Sequence, residues 1–264
     1  MIQIDEHDKV AEEAVFSIQG ILSAKNLPSI TERIKWVRQY FQEMINKWKK
    51  IFRKESQARY LRQGIALIGY GTTTFEDAIT GAQEIYGMFD RNVPDESLES
   101  WGLTRSAQGI VFEASNRFFT SKRDAPDMEP LPISPQIDPL GILEALKKGD
   151  FLHGEENEVS YYRVHENGSG SGKTYEIHIL LLPKSRYWQK KSVEAVNPQI
   201  FRVGDIVEAQ ISFIAVPLKD KKHKMIVVLR SIALLDATFS QVRDCCVLSP
   251  VVIVTHEHVV VMAL

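Results

Sequence analysis

The sequence of 264 residues predicts an α+β protein in which a helical N-terminal region is followed by a small antiparallel β-sheet or barrel domain. Three observations support this prediction. Apolar residues recur at helical spacing near the N-terminus, a proline-rich segment interrupts the chain, and apolar and polar residues alternate beyond it. We therefore divide the chain into a helical domain (1–120), a linker (121–139), an antiparallel β domain (140–241) and an apolar tail without a clear assignment (242–264).

The first two helices are predicted to form a pair. Apolar side chains recur every three or four residues from Val10 to Leu22, which indicates a helix over about 6–23 that ends at Pro28. Ser29–Glu32 has the pattern of a capping box and begins a second helix. Its apolar positions alternate steps of three and four, as in a heptad seam. The seam over 29–52 could pack on the first helix or bind a protein partner, and the oligomeric state stays open.

The second helix becomes basic in its C-terminal half, where aromatic residues are interleaved with the cations. Such a stretch can bind phosphates by releasing counterions, with aromatic stacking as support, or lie on an anionic membrane. The simpler alternative is a solvated helix face whose aromatic side chains belong to the core. The candidate nucleic-acid-binding residues here are Lys49, Lys50, Arg53 and Lys54.

Further helices are predicted before the linker. Threonines followed by Glu76 and Asp77 mark the start of a helix that runs to about Met88. One or two more helices are predicted over Ser97–Trp101 and Leu103–Phe119, from apolar residues three and four apart.

The linker at 121–139 contains five prolines, a density that neither a helix nor a central strand tolerates. We expect an extended polyproline conformation. A ligand for a proline-recognising module is the alternative. A short helix over Leu140–Lys148 is predicted to follow, closed by Gly149.

The β domain is predicted to contain four strands joined by hairpins. The first two are Val159–Val164 and Tyr175–Leu182, connected by a glycine-rich loop at 167–174. This loop ends in Gly-Lys-Thr like a phosphate-binding loop. Because it lacks the first glycine and opens a strand instead of a helix, we interpret it as a flexible hairpin loop.

The last two strands form the clearest prediction. Apolar residues alternate with polar ones through Phe201–Phe213, and a second run, rich in branched apolar residues, follows at Met225–Leu235. The pair indicates an antiparallel hairpin with a basic tip. Candidate nucleic-acid-binding residues at this tip and in the basic loop before the hairpin are Lys221, Lys222, Lys224, Arg186, Tyr187, Trp188, Lys190 and Lys191.

Composition excludes several classes of function. The formal net charge is −2, so no global excess of charge points to nucleic acid or a membrane. Adjacent Cys245 and Cys246 favour a reducing compartment, and the acidic N-terminus is unlike a secretory signal. No segment predicts a transmembrane helix, and His256 and His258 alone do not make a metal site. We therefore expect an intracellular protein, nuclear or cytoplasmic, with no cofactor, metal or membrane association.

The hairpin also carries a resemblance. Its stretches Pro198–Glu208 and Leu229–Asp236 resemble a repetitive family of hypothetical proteins of mushroom-forming fungi, often associated with mobile elements. The resemblance covers about residues 138–241. It implies an intracellular, eukaryotic setting and proximity to DNA, and it brings no known activity or catalytic residues.

Together these observations predict a non-enzymatic binding module, because no catalytic constellation is recognisable. Its basic loops and basic helix favour binding of DNA or RNA, since small barrels with such loops bind single strands. The alternative is a protein-interaction or scaffold protein that uses the heptad helix and the proline-rich linker.

Overall fold

The computed structural model of the chain describes residues 2–4, 11–28, 57–94, 97–147, 149–165, 192–238, 240, 252–254 and 259–261. The strands in these ranges are β1 (Ile2–Ile4), β2 (Ala11–Glu13), β3 (Phe16–Asn26), β4 (Arg62–Ile68), β5 (Thr104–Ser106), β6 (Gly109–Arg117), β7 (Thr120–Ser121), β8 (Phe151–Leu152), β9 (Ser160–His165), β10 (Ser192–Ala195), β11 (Ile206–Pro217), β12 (His223–Asp236), β13 (Val252–Val254) and β14 (Val259–Val261). The α-helices there are α1 (Gln57–Tyr60), α2 (Thr73–Asn92) and α3 (Ile142–Leu146). No helix in the described ranges is long and apolar enough to cross a membrane.

One eight-stranded sheet organises the fold, in the order β10-β9-β12-β11-β3-β4-β6-β5. Neighbouring strands are antiparallel except for β12 and β9, which are parallel. Three two-stranded pairs, β1–β2, β7–β8 and β13–β14, lie outside it. The sheet joins strands from both sides of the segment 121–139, since β11 pairs with β3.

The predicted α+β architecture with a helical N-terminal region is wrong, because the described part of that region is mainly strand. β3 overlaps the stretch predicted as a helix at 6–23, and β5 and β6 lie within the one predicted at 103–119. The reason is a shared periodicity. Ile18 and Leu22 are four residues apart, a step that fits one face of a helix and also one face of a strand. In β3 Ile18 and Leu22 are buried, whereas Ser17 and Gln19 on either side of Ile18 are exposed.

Other predicted elements are confirmed. The hairpin of β11 and β12 is antiparallel as expected, with Pro217 opposite His223 next to its tip. The helix expected to reach about Met88 is α2, the short helix after the linker is α3, and the strand at 159–164 is β9. The heptad helix at 29–52, the glycine-rich loop and the strand at 175–182 lie outside the described residues.

Five strands of the sheet curl into a barrel. β12, β11, β3, β4 and β6 are successive neighbours, so β12 and β6 would lie about 19 Å apart if the sheet were flat. Their Cα atoms instead approach within 8 Å. The antiparallel pairings between them make β6 and β12 run in the same direction. The barrel therefore comes together along this seam, where β6 and β12 approach each other without being hydrogen-bonded neighbours in the sheet.

Apolar side chains from alternate positions of these strands fill the barrel. The core residues, none more than 9% exposed, are Ile18, Leu22, Ile65, Leu67, Phe112, Ala114, Val207, Ala209, Ile211, Phe213, Met225, Val227, Leu229, Ile232 and Leu234. Because successive side chains of a strand point to opposite faces, the residues between them form the outer face.

Helix α2 packs over one end of the barrel. Phe75, Ile79 and Ala82 are buried on its inner face and belong to the barrel core. The Phe75 ring lies against the strands so closely that a Cβ on Gly69 would come within 2.3 Å of it. Gly69 is thus required by close packing. The β11–β12 hairpin extends beyond this same end, which we call the tip end.

A buried polar turn closes the opposite end, which we call the Asn157 end. Gln63 donates to the carbonyl of Asn157 at 2.9 Å and accepts from the Tyr161 hydroxyl at 2.6 Å. The Asn157 side chain accepts from the Gly154 amide at 3.0 Å and donates to Thr120 Oγ1 at 3.1 Å. Burial raises the pKa of Tyr161, which keeps its hydroxyl a donor. Because these buried polar groups are paired, the turn avoids a large desolvation penalty.

The proline-rich segment is packed on the fold. Its Leu131 amide donates to the His153 carbonyl at 2.7 Å, and the Lys122 amide donates to the Asp150 carbonyl at 2.9 Å. Ile137 packs against the barrel core and against the small cluster around Phe118 and Leu143. A partner that took this segment as an extended ligand would have to displace these contacts.

Candidate nucleic-acid interface

The tip of the β11–β12 hairpin, residues 219–224, is a rigid basic turn. Asp220 and Lys221 have φ values of 60° and 58°, in the left-handed region that non-glycine residues rarely adopt. The Leu218 amide donates to the Lys222 carbonyl at 2.7 Å and holds the turn closed. Such backbone strain persists only when the surrounding structure fixes the turn.

The segment after α2 provides that support. The His223 amide donates to the Ser97 carbonyl at 2.6 Å, and the Glu99 amide donates to the His223 carbonyl at 2.7 Å. Leu98 therefore bridges in parallel to His223. The backbone of the hairpin is thus tied at its base to the tip end of the barrel.

The lysines of the tip are available for a polyanion. Lys219, Lys221, Lys222 and Lys224 are all exposed. Among the ion pairs of the described residues none involves these lysines. Asp220 is the one acid within the turn, so the tip carries an excess of three positive charges before His223 is counted. A phosphate backbone would find cations here that need not give up an existing partner.

A second surface lies on the outer face of β4 and β6. The outward residues pair across the two strands from the tip end to the Asn157 end as Ile68 with Val111, Ala66 with Glu113, Gly64 with Ser115, and Arg62 with Arg117. Small side chains dominate the middle of this row. Ala66, Ile68 and Val111 on this face are nevertheless buried, each with 5% exposure or less, whereas Glu113 and Arg62 are exposed.

A small depression of about 40 Å³ occupies the tip-end half of this face. Its lining combines apolar side chains with the polar ones of Ser23, Ser106, Gln108 and Glu113. Partial burial raises the pKa of the Glu113 carboxyl on the rim. The residues that line the depression are Ser23, Ala24, Ala66, Ile68, Ser106, Gln108, Val111 and Glu113.

Tyr70 is an exposed aromatic residue just beyond the tip end of β4. It follows Ile68 by two residues, is 60% exposed, and has a left-handed backbone with φ of 45°. An aromatic ring held in water at the edge of a sheet is a platform on which a base can stack. Sequence reasoning missed Tyr70; the signal was a large aromatic between Gly69 and Gly71, where a turn residue is expected.

The segment 124–131 and the Glu155–Asn157 turn line a surface of opposite charge. A groove of about 560 Å³ there is lined by the carboxylates Asp124, Asp127, Glu129, Glu155 and Glu156. Among the described residues no group of side chains has the arrangement of a metal site. These carboxylates disfavour a polyanion in the groove itself, so the tip and the outer face of β4 and β6 are the candidate interface.

The predicted site residues fall into two groups. Lys221, Lys222 and Lys224 lie together at the tip, as the hairpin prediction required. The remaining nine lie outside the described residues: Lys49, Lys50, Arg53, Lys54, Arg186, Tyr187, Trp188, Lys190 and Lys191. Of the three basic stretches, only the lysines of the tip are therefore placed on the described fold.

Comparison of the chain with protein-family models, curated proteins and solved structures finds no match.

Proposed function

We propose that the protein binds single-stranded nucleic acid, without catalysis, through the barrel described above. The observation that carries this proposal is the order of the barrel strands. Numbered along the chain, β3, β4, β6, β11 and β12 are strands one to five, and their order around the barrel is one-two-three-five-four. This is the order of the five-stranded Greek-key barrels that bind oligonucleotides and oligosaccharides.

The charges of this chain favour the oligonucleotide. In such barrels the ligand contacts the outer face of strands two and three and the connections one-two and four-five. Here the four-five connection is the lysine tip, and the one-two connection contains Lys49, Lys50, Arg53 and Lys54. Strands two and three are β4 and β6, which carry the depression, with Tyr70 following β4. Fold alone does not establish function, so the proposal depends on the lysines and the arginine in the two connections where such barrels bind their ligands.

The setting that accompanies this function is an intracellular one, nuclear or cytoplasmic, in which single strands arise. The resemblance of residues 138–241 to a family associated with mobile elements supports proximity to DNA and remains a prediction.

Titration of the full chain with a fluorescent single-stranded 15-mer, as DNA and as RNA, tests the proposal. The full chain is needed because a fragment of residues 138–241 would lack β3 and β4. We expect submillimolar binding at 50 mM salt, and we expect it to weaken by about 20-fold at 200 mM salt if three phosphates are neutralised. Absence of binding at 50 mM salt, or binding indifferent to salt, would contradict the proposal.

A further inference from the structure

Two arginines face each other on the outer surface at the Asn157 end of the barrel. Arg62 of β4 is directly opposite Arg117 of β6 in the antiparallel register. Cβ atoms of such a pair are about 4.5–5.5 Å apart. Their neighbours Gln63 and Asn116 are buried with 1% and 4% exposure and point inward. Alternation along the strands therefore places both guanidinium groups on the outer face.

This arrangement costs stability. Like charges directly opposite each other on a sheet are destabilising. Desolvation and then the charge of Arg117 lower the pKa of Arg62. A guanidinium stays protonated at physiological pH, so both residues of the pair keep their positive charge there.

Arg62 lacks compensation within the described part of the chain. The one hydrogen bond described for its side chain runs from Nη1 to Ser115 Oγ at 3.5 Å, which is long. None of the described ion pairs includes Arg62. Arg117 does have a partner, because its Nη2 donates to Glu156 Oε1 at 2.8 Å. Glu156 is itself 43% exposed and also accepts from the Thr120 hydroxyl. The pair therefore presents several guanidinium N–H donors that no described protein group accepts.

We infer that Arg62 and Arg117 form a phosphate site that anchors the backbone of a nucleic-acid strand to the outer face of β4 and β6. The planar guanidinium fork matches phosphate oxygens, and two forks on adjacent strands can grip one phosphate from both sides. The phosphate relieves the repulsion that the two arginines otherwise impose on each other. Ser115, between them and the depression, offers a hydroxyl donor.

The site extends the proposed interface, and it rests on the proposed function. The arginine pair is two residues along the strands from the pair Gly64–Ser115. It is four residues from the pair Ala66–Glu113. A residue in a strand advances about 3.3 Å, so about 13 Å separates the arginine pair from the Glu113 rung. A strand held by a phosphate at the arginines can thus place a neighbouring nucleotide over the depression.

Separate Arg62→Gln and Arg117→Gln variants of the full chain test the inference, with Arg105→Gln as the matched control. Arg105 is exposed on β5 in the same sheet, and it lies outside the pair. We expect each test variant to weaken binding of a single-stranded 15-mer by about eight-fold at 50 mM salt, the contribution of one phosphate contact. We expect Arg105→Gln to change binding by less than two-fold. Losses in the test variants no larger than in the control would overturn the inference.

Thermal unfolding provides the readout that a purely structural role would not give. Arg62→Gln should leave the Tm unchanged or raise it, because the repulsion disappears, whereas a structural arginine would lower it. Inorganic pyrophosphate at 10 mM should raise the Tm of the unsubstituted protein and not that of the double variant Arg62→Gln/Arg117→Gln.

The pyrophosphate measurement distinguishes failure of the phosphate site from failure of the proposed function. If the unsubstituted protein fails to bind the oligonucleotide, the proposed function fails. A pyrophosphate effect that depends on the arginines would then support the phosphate site, with a small phosphate as its ligand. Absence of that effect, or an equal effect in the double variant, would overturn the site as well.

Discussion

Replacing Lys221 and Lys222 together by glutamate should weaken binding of a single-stranded oligonucleotide by about 60-fold or more at 50 mM salt, the loss expected from two phosphate contacts. Both lysines are exposed at the hairpin tip, and neither forms an ion pair within the described residues. Their whole positive charge is therefore available to the phosphates. Fluorescence anisotropy at several salt concentrations measures the effect, and the slope of log K against log salt should fall by about 1.4.

The matched control is Lys122→Glu/Arg123→Glu. These two cations are also adjacent and exposed, in the turn after β7, and the substitution changes the net charge by the same amount. We expect it to reduce binding only weakly, through the overall field of the protein. Equal losses in the two double variants would mean that net charge, and not the tip, controls binding.

Asn157→Ala should produce the largest loss of stability among the substitutions considered. Asn157 is 0% exposed, and its side chain bonds to the Gly154 amide and to Thr120 Oγ1. Truncation leaves both groups buried without these partners, which costs about 3 kcal/mol of unfolding free energy. In a chain of this size that corresponds to a fall in Tm of about 6–12 °C. Thermal and urea unfolding followed by circular dichroism measure it.

Glu155→Ala is the control in the same turn. Glu155 is exposed, and the hydrogen bond described for it involves only its backbone carbonyl. We expect a change in unfolding free energy within about 0.5 kcal/mol. If Asn157→Ala were as mild as Glu155→Ala, the polar turn would not close the barrel in the way described.

The β11–β12 hairpin was predictable because its sequence pattern has one interpretation. The alternation of apolar and polar residues in β11 predicts a strand, and the polar run after it predicts the turn at the tip. The alternating apolar residues are the ones that fill the barrel. In β3 and β6 the informative apolar residues are four apart, such as Ile18 and Leu22 in β3, or Ile110 and Ala114 in β6. That step fits both periods, so tertiary pairing decided the structure.

The candidate site was only partly predictable for a related reason. Charge runs such as the tip lysines are visible in sequence. The Arg62–Arg117 pair is not, because it depends on the register between β4 and β6, and register depends on pairing of residues 55 positions apart. The Gln63–Asn157 and Tyr161–Gln63 bonds are likewise long-range. No local pattern encodes them.

Several expectations from sequence stay predictions. The absence of catalysis, the protein partner of the 29–52 helix and the oligomeric state belong to this group. Sedimentation of the full chain distinguishes the scaffold alternative, since a stable oligomer dissolved by Val37→Asp would favour a role for the heptad seam.

Photo-crosslinking tests the central claim most directly: that a single strand lies on the outer face of β4 and β6 and on the hairpin tip. The full chain would be irradiated with oligonucleotides that carry 5-iodouracil at successive positions, and the adducts mapped by peptide mass spectrometry. We predict adducts at Tyr70, the exposed aromatic of this face, and in the peptide around residues 218–224. Adducts confined to the acidic groove at 124–131, or to the outer side of α2, would contradict the account.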